Sequence, residues 1–233
     1  MTEFISESRP GSDLAAEVAA SFAAASMVFT DEADFKEMLI SKAAGLLQFA
    51  EGYKGRYIDA VPRAAKYMSS SYEDELAWAN MWLYKATNQS SYYQTAETLT
   101  DSHDMLQSNP KIFNVDTKVA GVQLLMAMEE DEETNVAFNR ISDFCNFYLN
   151  DVPKTTKGLA YPTSFGATAV AASSSYLCIL AAQKLPESKT GMVVKSISFL
   201  VYDTFRFIQN WMEWLWPSTS KLPSWKQWSF IFN

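Results

Sequence analysis

Glycine and proline are scarce in this chain of 233 residues, which has only eight of each. Sheet proteins use many of these residues in their tight turns, so the shortage disfavours an all-β fold. Long alanine-rich segments with helical spacing of apolar residues dominate instead, and no segment is convincing as a strand. Hydrophobic residues make up 48% of the chain, enough for a sizeable core. The sequence therefore predicts an all-α fold.

Clustered basic residues and long apolar runs are also missing. The chain has 19 Lys and Arg against 27 Asp and Glu, a net charge of −8, which argues against a nucleic-acid partner. No run of about 18 apolar residues exists, so we predict no transmembrane segment. Met1–Pro10 is polar and lacks an apolar centre, so no signal peptide is visible and the compartment is left open.

Cysteine and histidine are the rarest reactive residues. Cys145 and Cys178 are too few for a disulfide framework. Both lie on apolar helical faces, which predicts free buried thiols. His103 has no histidine companion, and a lone histidine without a partner motif is more often a surface residue than a catalyst. Asn88-Gln89-Ser90 is a glycosylation sequon in a predicted turn, which matters only if the chain is secreted.

Helix, short loop, helix repeats along the chain. Ser12, Ser71 and Asp116 are the expected N-caps of three of these helices. Antiparallel helical pairs of this kind build a bundle or a toroid. The predicted helices cover residues 12–29, 31–52, 71–87, 91–105, 117–128, 132–149 and 166–184.

The helix of residues 71–87 has the most specific sequence motif. Its apolar spacing and capping residues alone indicate a well-capped core helix. Residues 72–87 have the form Y-x-D-E-L-x-W-x-x-x-W-L-Y-x-A-T, which closely resembles a segment of glycoside hydrolase family 9, the cellulase family. Further motifs that resemble those of the family occur along the chain in the same order as in the family. They are P-G-S-D at 10–13, Y-K-G-R-Y at 53–57, N-V-D-T-K at 114–118 and T-K-G-L at 156–159.

The resemblance covers residues 5–187 and implies an (α/α)6 barrel, the six-hairpin toroid, of which this chain would supply about half. It divides the chain into residues 1–188, a fragment of the catalytic domain, and residues 189–233, an unmatched tail. That tail holds five of the seven tryptophans.

The resemblance also implies hydrolysis of internal β-1,4-glucosidic bonds of cellulose with inversion, by an endo-β-1,4-glucanase. Inversion needs a general acid and a general base on opposite faces of the sugar. The family's base lies in a D-A-G-D motif and its acid is a Glu near the C-terminal end, and neither motif occurs here. We therefore assign no catalytic residue and expect a truncated chain that is inactive alone. Two alternatives remain open, a non-catalytic carbohydrate-binding protein and a helical interaction scaffold that keeps only the fold.

A structural calcium ion is implied by the same resemblance, because some members hold one with three acidic residues. The matching positions are Asp74, Glu75 and Asp116, and the carbonyl of Ser70 is a further candidate oxygen. Calcium prefers several hard oxygen ligands of this kind. The alternative is helix capping by Asp74 and Asp116, with Glu75 on the surface.

Two aromatic residues match the family's sugar-stacking positions, Tyr67 and Phe165, and the expected partner is a β-1,4-glucan. For each ring the alternative is an ordinary core position. The pattern departs from the family after Phe165. Residues 166–173 are G-A-T-A-V-A-A-S, without the Arg, the ring and the Asn that the family has there.

Overall fold

A computed structural model describes residues 4–64, 67, 69–129, 136–156 and 158–185. Within these ranges the chain is predominantly helical, and its only β-type pairings are two isolated bridges, Ser6 with Arg9 and Lys154 with Ala160. The predicted all-α class is confirmed for this part of the chain. The predicted Trp-rich tail lies outside the described residues.

Eight α-helices make up the described structure, and no helix among the described residues is long and apolar enough to cross a membrane. A 3-10 turn, Pro62–Ala64, follows α3, and a π-helical turn, Phe147–Asp151, continues α7. The helices are α1 Ser12–Ser26, α2 Ala33–Gly52, α3 Tyr57–Ala60, α4 Glu73–Thr87, α5 Ser90–Ser102, α6 Val119–Ala127, α7 Val136–Asn146 and α8 Ala167–Lys184.

The predicted cap of α1 is wrong. Gly11 occupies the N-cap position, and Ser12 is the first helical residue. The Ser12 hydroxyl donates to the carbonyl of Ala50, at the end of α2, at 2.8 Å. This serine therefore ties the start of α1 to the end of α2 instead of capping its own helix.

The other two predicted caps are also wrong. Helix α4 begins after Tyr72, and the Ser71 hydroxyl donates to Asp74 Oδ1 at 2.8 Å. Helix α6 begins after Lys118, and Asp116 Oδ1 accepts the backbone N–H of Ser70 at 2.7 Å. Asp116 thus makes a tertiary contact that a local pattern does not encode, whereas Ser71 contacts a residue only three positions further along the chain.

Alanine forms most of the first core, where α1, α2 and α4 pack together. Small side chains let helix axes approach closely, because the interaxial distance depends on the residues at the contact. Phe35, near the start of α2, lies outside this core; it is 36% exposed and packs edge-on against Phe29. The first core consists of Ala15, Ala16, Ala19, Ala20, Ala23, Ala43, Leu47, Ala50, Leu76, Ala79 and Leu83.

Larger side chains form the second core, between the opposite face of α4 and helices α6, α7 and α8. Phe144 and Tyr148 are fully buried with their ring centroids 5.1 Å apart. The Tyr148 hydroxyl, also buried, donates to the carbonyl of Lys111 at 3.0 Å. The largest fully buried members of the second core are Met81, Leu124, Met126, Ile141, Phe144 and Tyr148.

The two cysteines form a disulfide, so the prediction of free thiols is wrong. Cys145 of α7 and Cys178 of α8 are both buried in the second core, and their Cα atoms lie 5.6 Å apart. This separation is typical of a disulfide. The apolar helical faces were predicted correctly, but their mutual contact depends on how α7 packs against α8.

Gly121 lets α6 approach the helix that both cores share. A Cβ atom at this position would lie 2.7 Å from the Trp78 ring of α4 and 2.8 Å from the Phe113 ring. Such distances are well inside van der Waals contact, so only glycine fits without displacing the two rings. This contact fixes the start of α6 beside α4.

Candidate functional site

The N-terminal parts of four helices lie at the same end of the structure. At the start of α6, the Lys118 N–H donates to Asp74 Oδ2 of α4 at 2.7 Å. The Lys118 ammonium lies 2.6 Å from Glu17 Oε1 of α1. Ser173, in the second turn of α8, donates to the carbonyl of Phe113, just before α6, at 2.6 Å. We call this region the acidic end and define it by residues 13–17, 67, 69–75, 113–118 and 165–173.

Helix dipoles explain why carboxylates gather here. The positive ends of the helix dipoles and their free N–H groups favour negative charge. Asp13, in the first turn of α1, is 4% exposed and accepts the Tyr57 N–H at 2.9 and 3.1 Å. Asp74 likewise caps α6 from a neighbouring helix, since it accepts the N–H of Lys118.

Glu75 is buried beside a second carboxylate. It is 1% exposed, and burial raises its pKa to about 9, with the Asp74 charge adding to the shift and Lys118 opposing it. Glu75 Oε2 has no hydrogen-bond partner among the described residues. Glu75 therefore carries a proton at neutral pH, and the capping alternative, which expected it on the surface, is wrong for this residue.

Lys118 supplies the buried positive charge of the acidic end. It is 5% exposed, and its ammonium donates to the carbonyl of Asn114 at 2.7 Å. Its distance to Glu75 Oε1 is 3.6 Å, against 2.6 Å to Glu17 Oε1. Because Glu75 is protonated and Glu17 is closer, the ion pair of this cluster is Lys118 with Glu17.

The structure brings the predicted calcium ligands into one neighbourhood without joining all three. Asp74 contacts the Ser71 hydroxyl and Asp116 contacts the Ser70 N–H, so both carboxylates bind the same turn. Glu75 lies beside Asp74. Within the described ranges, no group of three or more His, Cys, Asp or Glu side chains is arranged to hold a metal ion.

Both predicted sugar-stacking rings lie exposed at the acidic end. Tyr67 is 61% exposed, and its carbonyl accepts the hydroxyl of Tyr57. Phe165 is 70% exposed and directly precedes Gly166, whose φ of 63° starts α8. Neither ring is buried among the described residues, so the core alternative does not describe them.

Ser173 stands where the family pattern has Asn. Its hydroxyl donates to the carbonyls of Phe113, at 2.6 Å, and Val170, at 3.1 Å. This position thus joins α8 to the segment before α6, and its hydroxyl is used inside the fold.

Comparisons with known proteins identify the family. The family model of glycosyl hydrolase family 9 matches residues 2–214. The chain belongs to this family. The match continues past residue 188, where the sequence analysis placed the end of the family segment.

Named relatives in family 9 are endoglucanases. Endoglucanase B of Cellulomonas fimi is 36% identical over 187 residues, which cover 76% of this chain and 18% of that protein. An endoglucanase structure from the termite Nasutitermes takasagoensis is 35% identical with a TM-score of 0.78, covering 87% of this chain and 45% of that one. The chain therefore spans less than half the length of these relatives.

The fold extends to more distant members. The cellulase Cel9M of C. cellulolyticum, solved in complex with cellobiose, is 21% identical with a TM-score of 0.67, covering 84% of this chain and 46% of that one. At this identity the likeness concerns the fold alone. Together with the termite structure, it identifies the described helices as part of the (α/α)6 toroid of family 9.

Sequence reasoning missed the partners that surround the acidic residues. Lys118 is the last residue of the family-like motif N-V-D-T-K, and Glu17 lies four residues after the motif P-G-S-D. The available signal was a charged residue within a family-like motif for Lys118, and one shortly after such a motif for Glu17. Their contact with each other joins residues about a hundred positions apart, so no local pattern predicted it.

Proposed function

We propose that this chain binds β-1,4-glucan at its acidic end, as part of the substrate-binding surface of an endo-β-1,4-glucanase, and does not hydrolyse it alone. The observation that carries the proposal is the exposure of Tyr67 and Phe165 where four helix N-termini converge. Exposed ring faces suit the apolar face of glucose. Membership of family 9 supports the choice of glucan.

The expected lack of hydrolysis follows from the acidic residues present. An inverting mechanism needs two carboxyl groups about 6.5–9.5 Å apart, on opposite sides of the sugar. Asp74 and Glu75 are neighbours on one helical turn, and both are buried. The family's D-A-G-D motif does not occur in the 233 residues. Asp74 and Glu75 therefore cannot take opposite sides of a glycosidic bond.

Calorimetric titration with cellotetraose tests the binding. We expect Tyr67→Ala and Phe165→Ala each to weaken the affinity about tenfold, equivalent to about 1.4 kcal/mol. Tyr176→Ala is the matched control, since Tyr176 is 53% exposed but lies in the middle of α8, and it should bind like the parent. Equal affinity of all variants, or no binding by the parent chain, would refute the proposed subsite.

A product assay on the same samples tests the lack of hydrolysis. We expect no release of reducing sugar from carboxymethyl-cellulose above buffer, because removing a general acid or base typically costs about 10²–10⁴-fold each. Glucan cleavage that persists through repeated purification would contradict this part of the proposal while leaving the binding result unaffected.

We further propose that Asp74, Glu75 and Asp116 hold a calcium ion, with the carbonyl of Ser70 as a fourth oxygen. The donor chemistry supports it, since all are hard oxygens. The buried Glu75 Oε2 without a partner supports it as well. A bound cation would favour the ionised form of Glu75, so calcium binding should release a proton and strengthen as the pH rises.

Thermal unfolding with calcium and with a chelator tests this site. A ligand that binds only the folded state raises the melting temperature. We expect millimolar calcium to do so, more strongly above neutral pH than below it. Asp116→Asn should abolish the shift while retaining an oxygen acceptor for the Ser70 N–H. Identical melting curves with calcium and chelator would exclude the ion.

A further inference from the structure

We infer that Asn88 is an acceptor site for an N-linked glycan. In the proposed reaction, Asn88 Nδ2 forms a bond to the anomeric carbon of a lipid diphosphate-linked oligosaccharide. The bond between that carbon and the diphosphate oxygen breaks, the lipid diphosphate leaves, and the amide loses one proton. Nothing in the proposed glucan binding requires this site, so the two proposals fail independently.

The turn between α4 and α5 presents the acceptor to solvent. Asn88 is exposed and has φ 56°, a left-handed conformation that asparagine tolerates. Its backbone N–H donates to the carbonyl of Tyr84 at 2.7 Å and ends α4. The backbone thus holds the turn, and the Asn88 carboxamide makes no hydrogen bond to any described residue.

The third sequon position is equally available. Ser90 is exposed at the first position of α5, and no described residue bonds its hydroxyl. A helix C-cap alone would explain the asparagine, because asparagine is a common left-handed cap. It would not explain a free hydroxyl two residues later. Asn88-Gln89-Ser90 is the only N-x-S/T triplet without proline in the 233 residues.

The disulfide is an independent observation that points to the same chemistry. Cys145 and Cys178 are bonded in the second core. Disulfides form and persist in oxidising compartments such as the secretory lumen. That lumen is also where the lipid-linked oligosaccharide and its transferase act. A chain that acquires this disulfide there is exposed to the transferase while its sequon is accessible.

The glycan would not obstruct the acidic end. Asn88 follows the last residue of α4, whereas Asp74 lies in its first turn. The helix has 15 residues, which corresponds to a length of about 22 Å. The sugar chain would therefore extend from the opposite end of α4, away from Tyr67 and the buried carboxylates.

Translation of the full chain, fused to a cleavable signal sequence, in the presence of microsomes tests the inference. We expect one glycan, seen as a single mobility shift that an endoglycosidase removes. Asn88→Gln and Ser90→Ala should each abolish the shift, and Ser90→Thr should retain it. Asn109→Gln, which changes an exposed asparagine outside any sequon, is the matched control and should keep the glycan.

The gel readout does not require the variants to fold, so a destabilised variant still gives a result. An unshifted parent chain, translocated into the microsomes and protected from protease, would overturn the inference. A shift that survives both Asn88→Gln and Ser90→Ala would also overturn it, because the glycan would then lie elsewhere.

Discussion

The two cores differ in the size of the side chains that fill them. Eight of the eleven buried residues of the first core are alanine, whereas the second core contains Phe144, Tyr148 and several methionines and leucines. Helix α4 contributes one face to each. The first core depends on close helix approach, and the second depends on filling space between helices that a disulfide also joins.

This difference predicts opposite sensitivities to mutation. A core of small residues has no room for added volume, because protein interiors are close-packed. A core of large residues loses most when volume is removed and a cavity remains. Substitutions in each core, followed by measurement of the unfolding free energy, therefore test whether the first core is limited by added volume and the second by lost volume.

The largest effect is expected for Phe144→Ala in the second core. Phe144 is fully buried, so truncation should cost about 3–5 kcal/mol of unfolding free energy, from lost transfer energy and the residual cavity. Urea unfolding measures it. Phe29→Ala, which truncates a ring that is 42% exposed, is the control and should cost far less. Similar losses for both variants would contradict the assignment of Phe144 to a tightly packed core.

Loss of the disulfide should be next in size. It joins residues 33 apart, and closing a loop of this order stabilises the folded state by about 2–4 kcal/mol. We expect reductant to lower the melting temperature of the parent chain. Cys178→Ala should start lower and be insensitive to reductant. A parent chain equally stable with and without reductant would show that the bond contributes nothing.

Ala19→Leu should destabilise the first core by adding volume, in contrast to the truncation in the second core. Ala19 is fully buried between helices, so the added carbon atoms must displace them, at a cost of about 1–3 kcal/mol. Ser21→Leu, at an exposed position of the same helix, should change stability little. If both substitutions were harmless, the helices of the first core would be more loosely packed than described.

Glu75→Gln, at the acidic end of α4, should give a gain in stability that depends on pH. The pKa of Glu75 is raised from 4.5 to about 9, so its stabilising protonation is complete below the unfolded value and lost as the pH rises towards 9. Glutamine keeps the protonated shape and does not ionise. The variant should equal the parent at acidic pH and exceed it increasingly above that, by up to about 3 kcal/mol at pH 7, since each pH unit above the unfolded pKa is worth about 1.4 kcal/mol.

Unfolding measured across the pH range, with Glu37→Gln as the exposed control, checks this expectation. A parent chain whose stability rises over the same range relative to Glu75→Gln would mean that Glu75 is ionised when folded.

Helix positions were largely predictable from the sequence, because amphipathic spacing reports burial directly. The spacing of Leu76, Ala79, Trp82 and Leu83 predicts one apolar face of α4; Leu76, Ala79 and Leu83 are buried, and Trp82 is half-buried. Helix ends were less predictable. Ser12 and Ser71 have the sequence of caps, but the Ser12 hydroxyl bonds the carbonyl of Ala50 in α2, and the Ser71 hydroxyl bonds the side chain of Asp74 instead of a backbone N–H. The short helix α3 also went unpredicted, since its four residues are too few for a periodic pattern.

Residues of the acidic end were predictable from the sequence only where they lie in a motif that resembles the family's. Asp74, Glu75 and Asp116 were found by such motifs, yet the raised pKa of Glu75 follows from its burial and the neighbouring Asp74 charge, with Lys118 opposing them. Lys118 contacts Asp74 across 44 residues of sequence. The disulfide was missed for the same reason, because it depends on the packing of α7 against α8.

Hydrogen exchange of the full chain with and without cellotetraose tests the central claim, that the acidic end is the glucan-binding surface. We expect slower exchange on ligand addition at backbone amides of residues 69–75, 113–118 and 163–170. Amides of the turn at residues 87–91, at the other end of α4, should exchange as before. Protection confined to that turn, or no change at the acidic end at saturating ligand, would contradict the claim.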